Sequence, residues 1–336
     1  MGVPGGALVT LAALALLTTA CGSSGSVPSA ASNGSSLAPA VIPSPTTLPT
    51  VKVAGTEPAG DLAFLGPVYQ VPVNGITVGY RQFGSGPPLV LIVGQDSAMS
   101  YWGPDVLRRL AEHYQVTIFD NRGVGYSTDQ PDQPLSIELM SDDTAALIEA
   151  IGLDRPAVFG WSTGGEIGLA LAVRHPGEVG SLAVSGATAG GPTAVPATAE
   201  VDALFNSTDP ADQIKLLDLL FTPSGAAARQ RYIEGLLAMP AETVSAEIIA
   251  RQADSEARFV ASTETYYGLG SIETPVLVTD GVEDELVPVA NVHVIADRIA
   301  GAKVVLVPDT SHAWMLQDID RFVAMLVAFT SGQPLP

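Results

Sequence analysis

The sequence has a single cysteine, Cys21, so its folded part cannot contain an intramolecular disulfide. Basic residues are also scarce, because 15 lysines and arginines stand against 35 aspartates and glutamates and give a formal net charge of -20. This charge repels nucleic-acid phosphates and anionic lipid surfaces, and no local basic cluster offsets it. We therefore expect no nucleic-acid partner and interpret the acidity as a solvating surface.

The usual sequence signatures of cofactor sites are missing as well. We find no cluster with metal-ligand spacing, no phosphate-binding glycine loop and no dinucleotide-binding fingerprint. We therefore predict neither a metal nor a cofactor. The 336 residues, of which 47% are hydrophobic, still provide enough material for a large buried core.

An apolar run at residues 7–20 is too short to cross a bilayer but has the length of a signal-peptide core, so we predict a signal peptide at 1–20. Residues 16–22 read Leu-Leu-Thr-Thr-Ala-Cys-Gly and resemble the lipobox of bacterial lipoproteins. The resemblance implies cleavage before Cys21 and a diacylglycerol on its sulfur. It implies an exported protein held by lipid on the outer face of the cell membrane; secretion without lipid is the alternative.

The next segment is rich in Ser, Pro, Ala, Thr and Gly and almost free of charged and aromatic residues up to about residue 60. Such a composition cannot bury enough apolar surface to fold. With Cys21 included, we predict a disordered stalk over residues 21–62 that separates the following domain from the anchor.

Further along, apolar runs of strand length alternate with helical patterns, as expected for parallel strands that helices cover on both faces. The predicted strands open with a hairpin through Asn74-Gly75, a sequence suited to a type I′ turn. They are residues 68–73, 76–83, 89–93, 116–120, 157–160, 181–185, 276–279 and 303–307. We predict an α/β core formed by residues 63–190 and 271–332.

The long interval between the sixth and seventh predicted strands has helical periodicity at 211–220, 226–238 and 243–262. A structureless loop of that length is improbable in a compact domain. We predict that residues 191–270 form a helical lid inserted over the sheet, and hence a covered pocket.

Residues 160–165 read Gly-Trp-Ser-Thr-Gly-Gly and fit the pattern G-x-S-x-G, in which a strand turns sharply into a helix at an exposed serine. An apolar strand precedes Ser162 and a helical pattern follows it. A serine hydroxyl needs a base within hydrogen-bond reach and a third group that orients the base. We therefore predict Ser162 as a nucleophile.

Among the four histidines, His312 lies in the loop after the last predicted strand, at the edge where ligands bind in open α/β folds. His113 and His293 fall within or at the ends of predicted helices, and His175 precedes a proline at a helix end, where we expect a capping role. The predicted base is His312.

The orienting acid of this arrangement follows Ser and precedes His along the chain. From about residue 64 the chain resembles the α/β-hydrolase superfamily, and residues 281–288 are similar to its G-x-x-D-x-x-V-P pattern. The resemblance selects Asp284, with Glu283 as the second candidate. Asp280 and Glu285 are interpreted as turn-forming or solvated charges.

The turn around Ser162 and the Gly165-Glu166 pair that follows it are similar to the cofactor-free haloperoxidase and esterase branch of that superfamily. Residues 120–127 are similar to a D-x-R-G-x-G-x-S loop shared with the proline iminopeptidases, and we assign them a structural role.

Each tryptophan of the chain fits pocket lining and core packing equally well: Trp102, Trp161 and Trp314.

Acyl transfer also needs amide donors for the developing oxyanion. One is expected at Thr163, directly after the nucleophile. Family members usually read His-Gly after the third strand, where residues 93–96 read Val-Gly-Gln-Asp. Matching by position places the second donor at Gln95. Because a carboxylate in the hole would repel the oxyanion, we expect Asp96 to point away from it.

These features predict a serine hydrolase that acts on a small ester or related acyl substrate through Ser162, His312 and Asp284. A proline iminopeptidase-like aminopeptidase is the nearest alternative, although the Gly-Gly-Pro-Gly signature of those enzymes is replaced here by residues 94–97. Haloperoxidase or perhydrolase activity would use the same three residues. A non-catalytic cell-surface binding lipoprotein is the alternative from another class.

Overall fold

The computed structural model describes residues 47–205, 207 and 209–336. The predicted signal peptide at 1–20, the lipidation site Cys21 and the predicted stalk up to residue 46 lie outside the described residues. Within the described part of the chain, no helix is long and apolar enough to span a membrane.

The described residues form one sheet. Its strands are β1 Val51–Lys52, β2 Tyr69–Val73, β3 Ile76–Gly84, β4 Pro88–Ile92, β5 Gln115–Phe119, β6 Ala157–Trp161, β7 Ser181–Ser185, β8 Val276–Gly281 and β9 Lys303–Val307. The strand order is β1-β2-β3-β5-β4-β6-β7-β8-β9. The first three strands pair antiparallel, as does β3 with β5, and the remaining pairs are parallel.

The helices of the described residues connect or cover these strands. They are α1 Pro104–Ala111, α2 Ile137–Ala150, α3 Thr163–Arg174, α4 Ala199–Phe205, α5 Pro210–Leu219, α6 Ala226–Ala238, α7 Ala246–Ala261, α8 Glu264–Gly268, α9 Ala290–Ala296, α10 Trp314–Gln317 and α11 Ile319–Thr330. Short 3-10 helices lie at Gly60–Leu65, Met99–Trp102, Pro223–Gly225 and Leu269–Ser271.

The core has a layer on each face of the sheet because successive strand residues point to opposite sides. In β4, Leu89 and Leu91 pack with α1, α10 and α11, whereas Val90 and Ile92 pack with α2, α3 and α9. All four side chains are fully buried, as expected of a strand covered by helices on both faces. The predicted class, an α/β fold with a mostly parallel sheet flanked by helices, is confirmed.

The opening hairpin is also confirmed. Asn74 and Gly75 both have positive φ, 44° and 77°, which a type I′ turn requires at its two central residues. The turn sets the register of β2 and β3, in which Val73 pairs with Ile76.

The folded unit begins earlier than predicted, because residues up to 62 had been assigned to the stalk. Strand β1 pairs with β2, and the Thr56 hydroxyl donates to Val53 O at 2.7 Å and accepts from Val68 N at 2.9 Å. Leu48 N donates to Ala150 O at 2.9 Å, at the end of α2. Composition missed this segment because backbone pairing to an edge strand needs few apolar side chains.

In the interval predicted as a lid, the described residues form five α-helices, α4 to α8, between β7 and β8, which are the sixth and seventh strands of the prediction. The predicted helical patterns correspond to α5, α6 and α7, whereas α4 and α8 had no separate prediction. Whether these helices act as a lid stays a prediction.

Candidate active site

Ser162 lies at the junction of β6 and α3 in a backbone conformation that is unusual for a side chain-bearing residue, with φ 59° and ψ -131°. Such a conformation costs about 1–3 kcal/mol and persists only where its surroundings enforce it. The Ser162 amide donates to Ser185 O at 2.8 Å. A Cβ at Gly164 would lie 2.0 Å from Ile92 O, so only glycine allows α3 to start this close to β4. The turn therefore presents Ser162 at the carboxyl edge of the sheet.

His312 and Asp284 come from the loops that follow β9 and β8. His312 Nδ1 lies 2.7 Å from Asp284 Oδ2, and both side chains are buried. The other oxygen, Asp284 Oδ1, accepts hydrogen bonds from the amides of Leu286 and Val287 at 2.8 and 2.9 Å. Asp284 is thus fixed by the backbone and in turn fixes the imidazole ring.

Two contacts bring His312 to the strands beside Ser162. The Trp161 indole donates to His312 O at 2.9 Å, and its ring centroid lies 5.6 Å from the imidazole centroid. At the end of β7, a Cβ on Gly186 would lie 2.6 Å from His312 Cε1. The structure therefore gathers Ser162, His312 and Asp284 at one edge of the sheet.

The other acidic candidates lie in different environments. Glu283 and Glu285 are exposed. Asp280, interpreted from sequence as a turn or solvated charge, is instead 1% exposed at the end of β8. Burial, and secondly the charge of Asp284, raise the pKa of Asp280 well above its ordinary value. That interpretation was wrong because the strand runs two residues further than predicted, to Gly281.

The remaining histidines have the structural settings expected of them. His113 and His293 are exposed. His175 caps the carboxyl end of α3, and its Nε2 lies 2.7 Å from Asp142 Oδ1.

The loop after β4 passes directly over the serine. A Cβ on Gly94 would lie 3.0 Å from Ser162 Cβ and 3.5 Å from its Oγ. The next amides belong to Gln95 and Asp96, and that of Asp96 is engaged by Gln252 Oε1 at 2.6 Å. The Gln95 amide, which is one of the two predicted oxyanion donors, comes directly before the Asp96 amide in the chain. The other predicted donor, Thr163, is the first residue of α3, where amides have no partner within the helix.

The loop at residues 120–127 supports these elements, in agreement with the structural role predicted for it. Asp120 accepts from the amides of Met99 and Tyr126, both at 2.8 Å. Arg122 makes a two-point contact with Asp143, with Nε–Oδ2 at 2.8 Å and Nη2–Oδ1 at 2.7 Å. Both groups are almost fully buried, so the loop is held by charge-assisted bonds shielded from water.

The order of the strands explains why the site lies at this edge. Along the chain, β5 is added on one side of β4 and β6 on the other, so the strand order reverses at β4. Ligands of open α/β sheets bind at the carboxyl ends of the strands at such a reversal. The loops carrying Gly94 and Ser162 follow β4 and β6.

The sequence family agrees with this geometry. A family model described as alpha/beta hydrolase fold matches residues 87–318, which is more than half of the chain. The chain belongs to the alpha/beta hydrolase fold family.

Individual members of the family resemble the chain over most of its length. A putative carbamate hydrolase, RutD, from a Caulobacter species is 27% identical over 266 residues, which covers 76% of this chain and 96% of that protein. A pimeloyl-[acyl-carrier protein] methyl ester esterase from Neisseria meningitidis is 30% identical and covers 68% and 72%. A solved esterase from a Rhodococcus species has a TM-score of 0.65 and 26% identity, and covers 79% and 98%.

In this alpha/beta hydrolase, the inserted helices and their connections contact the loops that follow β4 and β9. Glu242 Oε2 accepts from Ser100 N at 3.1 Å, and Tyr232 Oη donates to Tyr101 O at 2.8 Å. The loop bearing His312 is held from the same side, since Ser311 Oγ donates to Leu219 O at 2.7 Å.

Three buried or partly buried acids surround the serine turn, and sequence reasoning missed two of them, Glu166 and Glu256. The Thr163 hydroxyl donates to Glu256 Oε2 at 3.4 Å. Burial raises the pKa of Asp96 to about 7, and it also raises the pKa values of Glu166 and Glu256. The sequence signal that could have found Glu256 is its spacing from Gln252, because two residues four positions apart lie on the same face of a helix.

Asp96 is 3% exposed and interacts electrostatically with Glu256, and its expected orientation away from the oxyanion hole stays a prediction. The tryptophans pack in the core: Trp102, Trp161 and Trp314 are all buried in the same cluster. Among the described residues, no group of three or more His, Cys, Asp or Glu side chains is arranged to hold a metal ion.

Proposed function

We propose that this chain is a serine hydrolase that cleaves small esters or related acyl compounds through an acyl-enzyme. The observation that carries the proposal is the 2.7 Å contact between His312 Nδ1 and Asp284 Oδ2 beside the turn that presents Ser162. A base oriented by a buried carboxylate next to a partly exposed serine is the arrangement required for nucleophilic acyl transfer.

In the first half-reaction, Ser162 Oγ attacks the substrate carbonyl while His312 Nε2 accepts the hydroxyl proton. Asp284 stabilises the imidazolium and keeps the proton on Nδ1. The amides of Gln95 and Thr163 donate to the oxyanion of the tetrahedral intermediate. The intermediate collapses, the bond to the leaving group breaks, and His312 returns its proton to that group.

The second half-reaction uses water in place of the leaving group. His312 takes a proton from water, the hydroxide attacks the acyl carbon, and the Ser162 oxygen leaves with the proton from His312. The products are a carboxylic acid and the alcohol released earlier. No electron transfer is involved, so the residues named are sufficient for the chemistry.

The names of the relatives support an acyl substrate. An esterase and a carbamate hydrolase both transfer a carbonyl group to water, although the compounds they cleave differ. The helices between β7 and β8 support a covered site, since they contact the loops that carry His312 and the predicted oxyanion donors. We propose that they act as a lid that selects the substrate.

We also propose that the enzyme is exported and attached through Cys21 to lipid on the outer face of the cell membrane. This proposal is supported by the apolar run at residues 7–20 and the lipobox-like sequence that ends it. Secretion without lipid is the competing outcome.

Fluorophosphonate labelling tests the nucleophile. We expect the native protein to be labelled at Ser162, and the label to be lost in Ser162→Ala and strongly reduced in His312→Ala, with circular dichroism showing that both variants are folded. Hydrolysis of p-nitrophenyl acyl esters measured beside aminoacyl anilides separates esterase from aminopeptidase activity. An unreactive Ser162 in the folded native protein would contradict the proposal and favour a binding protein.

A further inference from the structure

Glu256 lies on an inserted helix next to the turn that carries Ser162. It lies on α7 one turn after Gln252, whose side chain holds the Asp96 amide, so both side chains face the carboxyl edge of the sheet. Its carboxylate accepts from the Thr163 hydroxyl and interacts electrostatically with His312. Glu256 therefore lies beside the residue that follows the nucleophile.

Two further carboxyl groups face Glu256 from the enzyme core. Asp96 is 3% exposed and Glu166 is 2% exposed, and each has one oxygen without a hydrogen-bond partner among the described residues. Both interact electrostatically with Glu256. Buried polar atoms normally have partners, and a ligand with N–H donors would supply them to two such oxygens near a third carboxylate.

The cations of the same helix are engaged elsewhere. Arg251 pairs with Asp129 and donates to Gln133 O, and Arg258 pairs with Asp254 and donates to Leu135 O. None of the ion pairs seen among the described residues includes Asp96, Glu166 or Glu256. Among the described residues, none of the three acids therefore forms an ion pair with a lysine or arginine, and the positive charge that Glu256 meets is that of His312.

Burying three carboxyl groups near one another disfavours their ionised forms. Burial is the main cause that raises the pKa of each, and mutual repulsion adds to it for Asp96 and Glu166. A cation between them would remove the repulsion and favour their ionised forms. The described residues form no chelating group for a metal ion, so a cation with N–H donors fits better.

We propose that Glu256 is a specificity-determining residue that binds an ammonium group of the substrate next to the scissile acyl bond, with Asp96 and Glu166 contributing negative charge. The inference rests on the proposed hydrolase function. Because Glu256 contacts Thr163, the ammonium lies close to the carbonyl that Ser162 attacks, as in an α-amino ester. Glu256 touches the substrate but takes no proton from the reacting atoms.

Two esters of equal shape test the inference. Alanine methyl ester and methyl isobutyrate differ in the exchange of an ammonium for a methyl group. We expect the native enzyme to prefer the charged ester in kcat/KM by about tenfold or more, as one charge-assisted hydrogen bond provides. Glu256→Gln should abolish the preference by raising KM for alanine methyl ester more than KM for methyl isobutyrate.

Asp254→Asn is the matched control, because it removes an acid from the exposed face of the same helix. It should retain the preference of the native enzyme. An equal kcat/KM for both esters, or a preference that survives Glu256→Gln, overturns the inference while leaving the hydrolase proposal intact.

A binding measurement keeps the two proposals separate. Calorimetry on Ser162→Ala compares alaninamide with isobutyramide, which have the same shape but differ in charge, and needs no catalysis. We expect measurable binding of alaninamide that is lost in Ser162→Ala with Glu256→Gln. Binding without hydrolysis in the native protein would support the ammonium site and contradict the hydrolase proposal, whereas equal or no binding of the two amides overturns the site.

Discussion

The side-chain carbonyl of Gln252 accepts a 2.6 Å hydrogen bond from the backbone amide of Asp96. This bond joins helix α7 of the inserted region to the loop after β4, and both groups are buried. Asp96 has a positive φ of 55°, an unusual conformation for an aspartate that the bond helps to hold. The position of the neighbouring Gln95 amide therefore depends on a helix more than 150 residues away in sequence.

Gln252→Ala removes this tie. We expect kcat for p-nitrophenyl acetate to fall about tenfold, because a small displacement of an oxyanion donor weakens transition-state stabilisation. The exposed Gln230 provides a control, since its side chain donates to Glu234 one turn later on α6. Gln230→Ala should retain native kcat, and an unaltered kcat in Gln252→Ala would show that α7 does not position the loop.

Asp284→Asn tests the orientation of the imidazole. The amide cannot stabilise the imidazolium and favours the wrong tautomer, so we expect kcat to fall about a thousandfold to ten-thousandfold with the fold preserved. The exposed neighbour supplies the comparison, and Glu283→Gln should behave like the native enzyme. If Glu283→Gln were the inactive variant, the assignment of the orienting acid would be wrong.

The buried pair of Arg122 and Asp143 is expected to stabilise the fold without taking part in chemistry. Asp143→Asn leaves the guanidinium buried without its charged partner, and we expect the free energy of unfolding to fall by about 3 kcal/mol in urea titrations. The exposed pair of Arg109 and Asp320 gives the reference, and Asp320→Asn should change stability by less than about 1 kcal/mol. A large loss of kcat in folded Asp143→Asn would contradict a purely structural role.

The raised pKa of Asp96 gives a pH-dependent stability. Burial is its main cause, and it moves the pKa from 3.8 in the free side chain to about 7 in the folded protein. Between these values the folded protein binds more protons than the unfolded chain, so this group lowers the free energy of unfolding as pH rises. Asp96→Asn should therefore stabilise the protein more at about pH 8 than at about pH 4 in paired urea titrations. An equal effect at both values would show that Asp96 is not desolvated.

The lipid anchor is tested in a bacterial host that processes lipoproteins. Cys21→Ser removes the only thiol of the chain, and we expect the mature protein to move from the membrane fraction to the soluble exported fraction. Its kcat/KM for p-nitrophenyl acetate should stay native. Identical partitioning of the native protein and Cys21→Ser would favour secretion without lipid.

Sequence alone predicted the elements that short, local residue patterns determine. The strand and helix around Ser162, the Asn74-Gly75 turn and the loops that place Asp284 and His312 all follow from residue patterns read over a few positions. The approach of these loops to one edge follows from parallel strands, whose carboxyl ends point the same way. These parts of the fold and site therefore needed no coordinates.

The rest depends on contacts between distant segments. The contacts of Glu256 with Thr163, and of Gln252 with Asp96, require the tilt of α7 over the sheet, which helical periodicity does not specify. The two-residue strand β1 is too short to show an alternating pattern, so its residues were assigned to the stalk and its pairing with β2 was missed. Asp280 was misread because burial of a polar strand end is decided by neighbouring strands.

The contact between Leu48 and Ala150 fixes where the chain enters the domain. Helix α2 leads into β6 and ends at the edge where the parallel strands begin, whereas Ser162 follows the opposite end of β6. If the protein is anchored at Cys21 as proposed, the chain would thus join the domain at the end of the sheet opposite to Ser162.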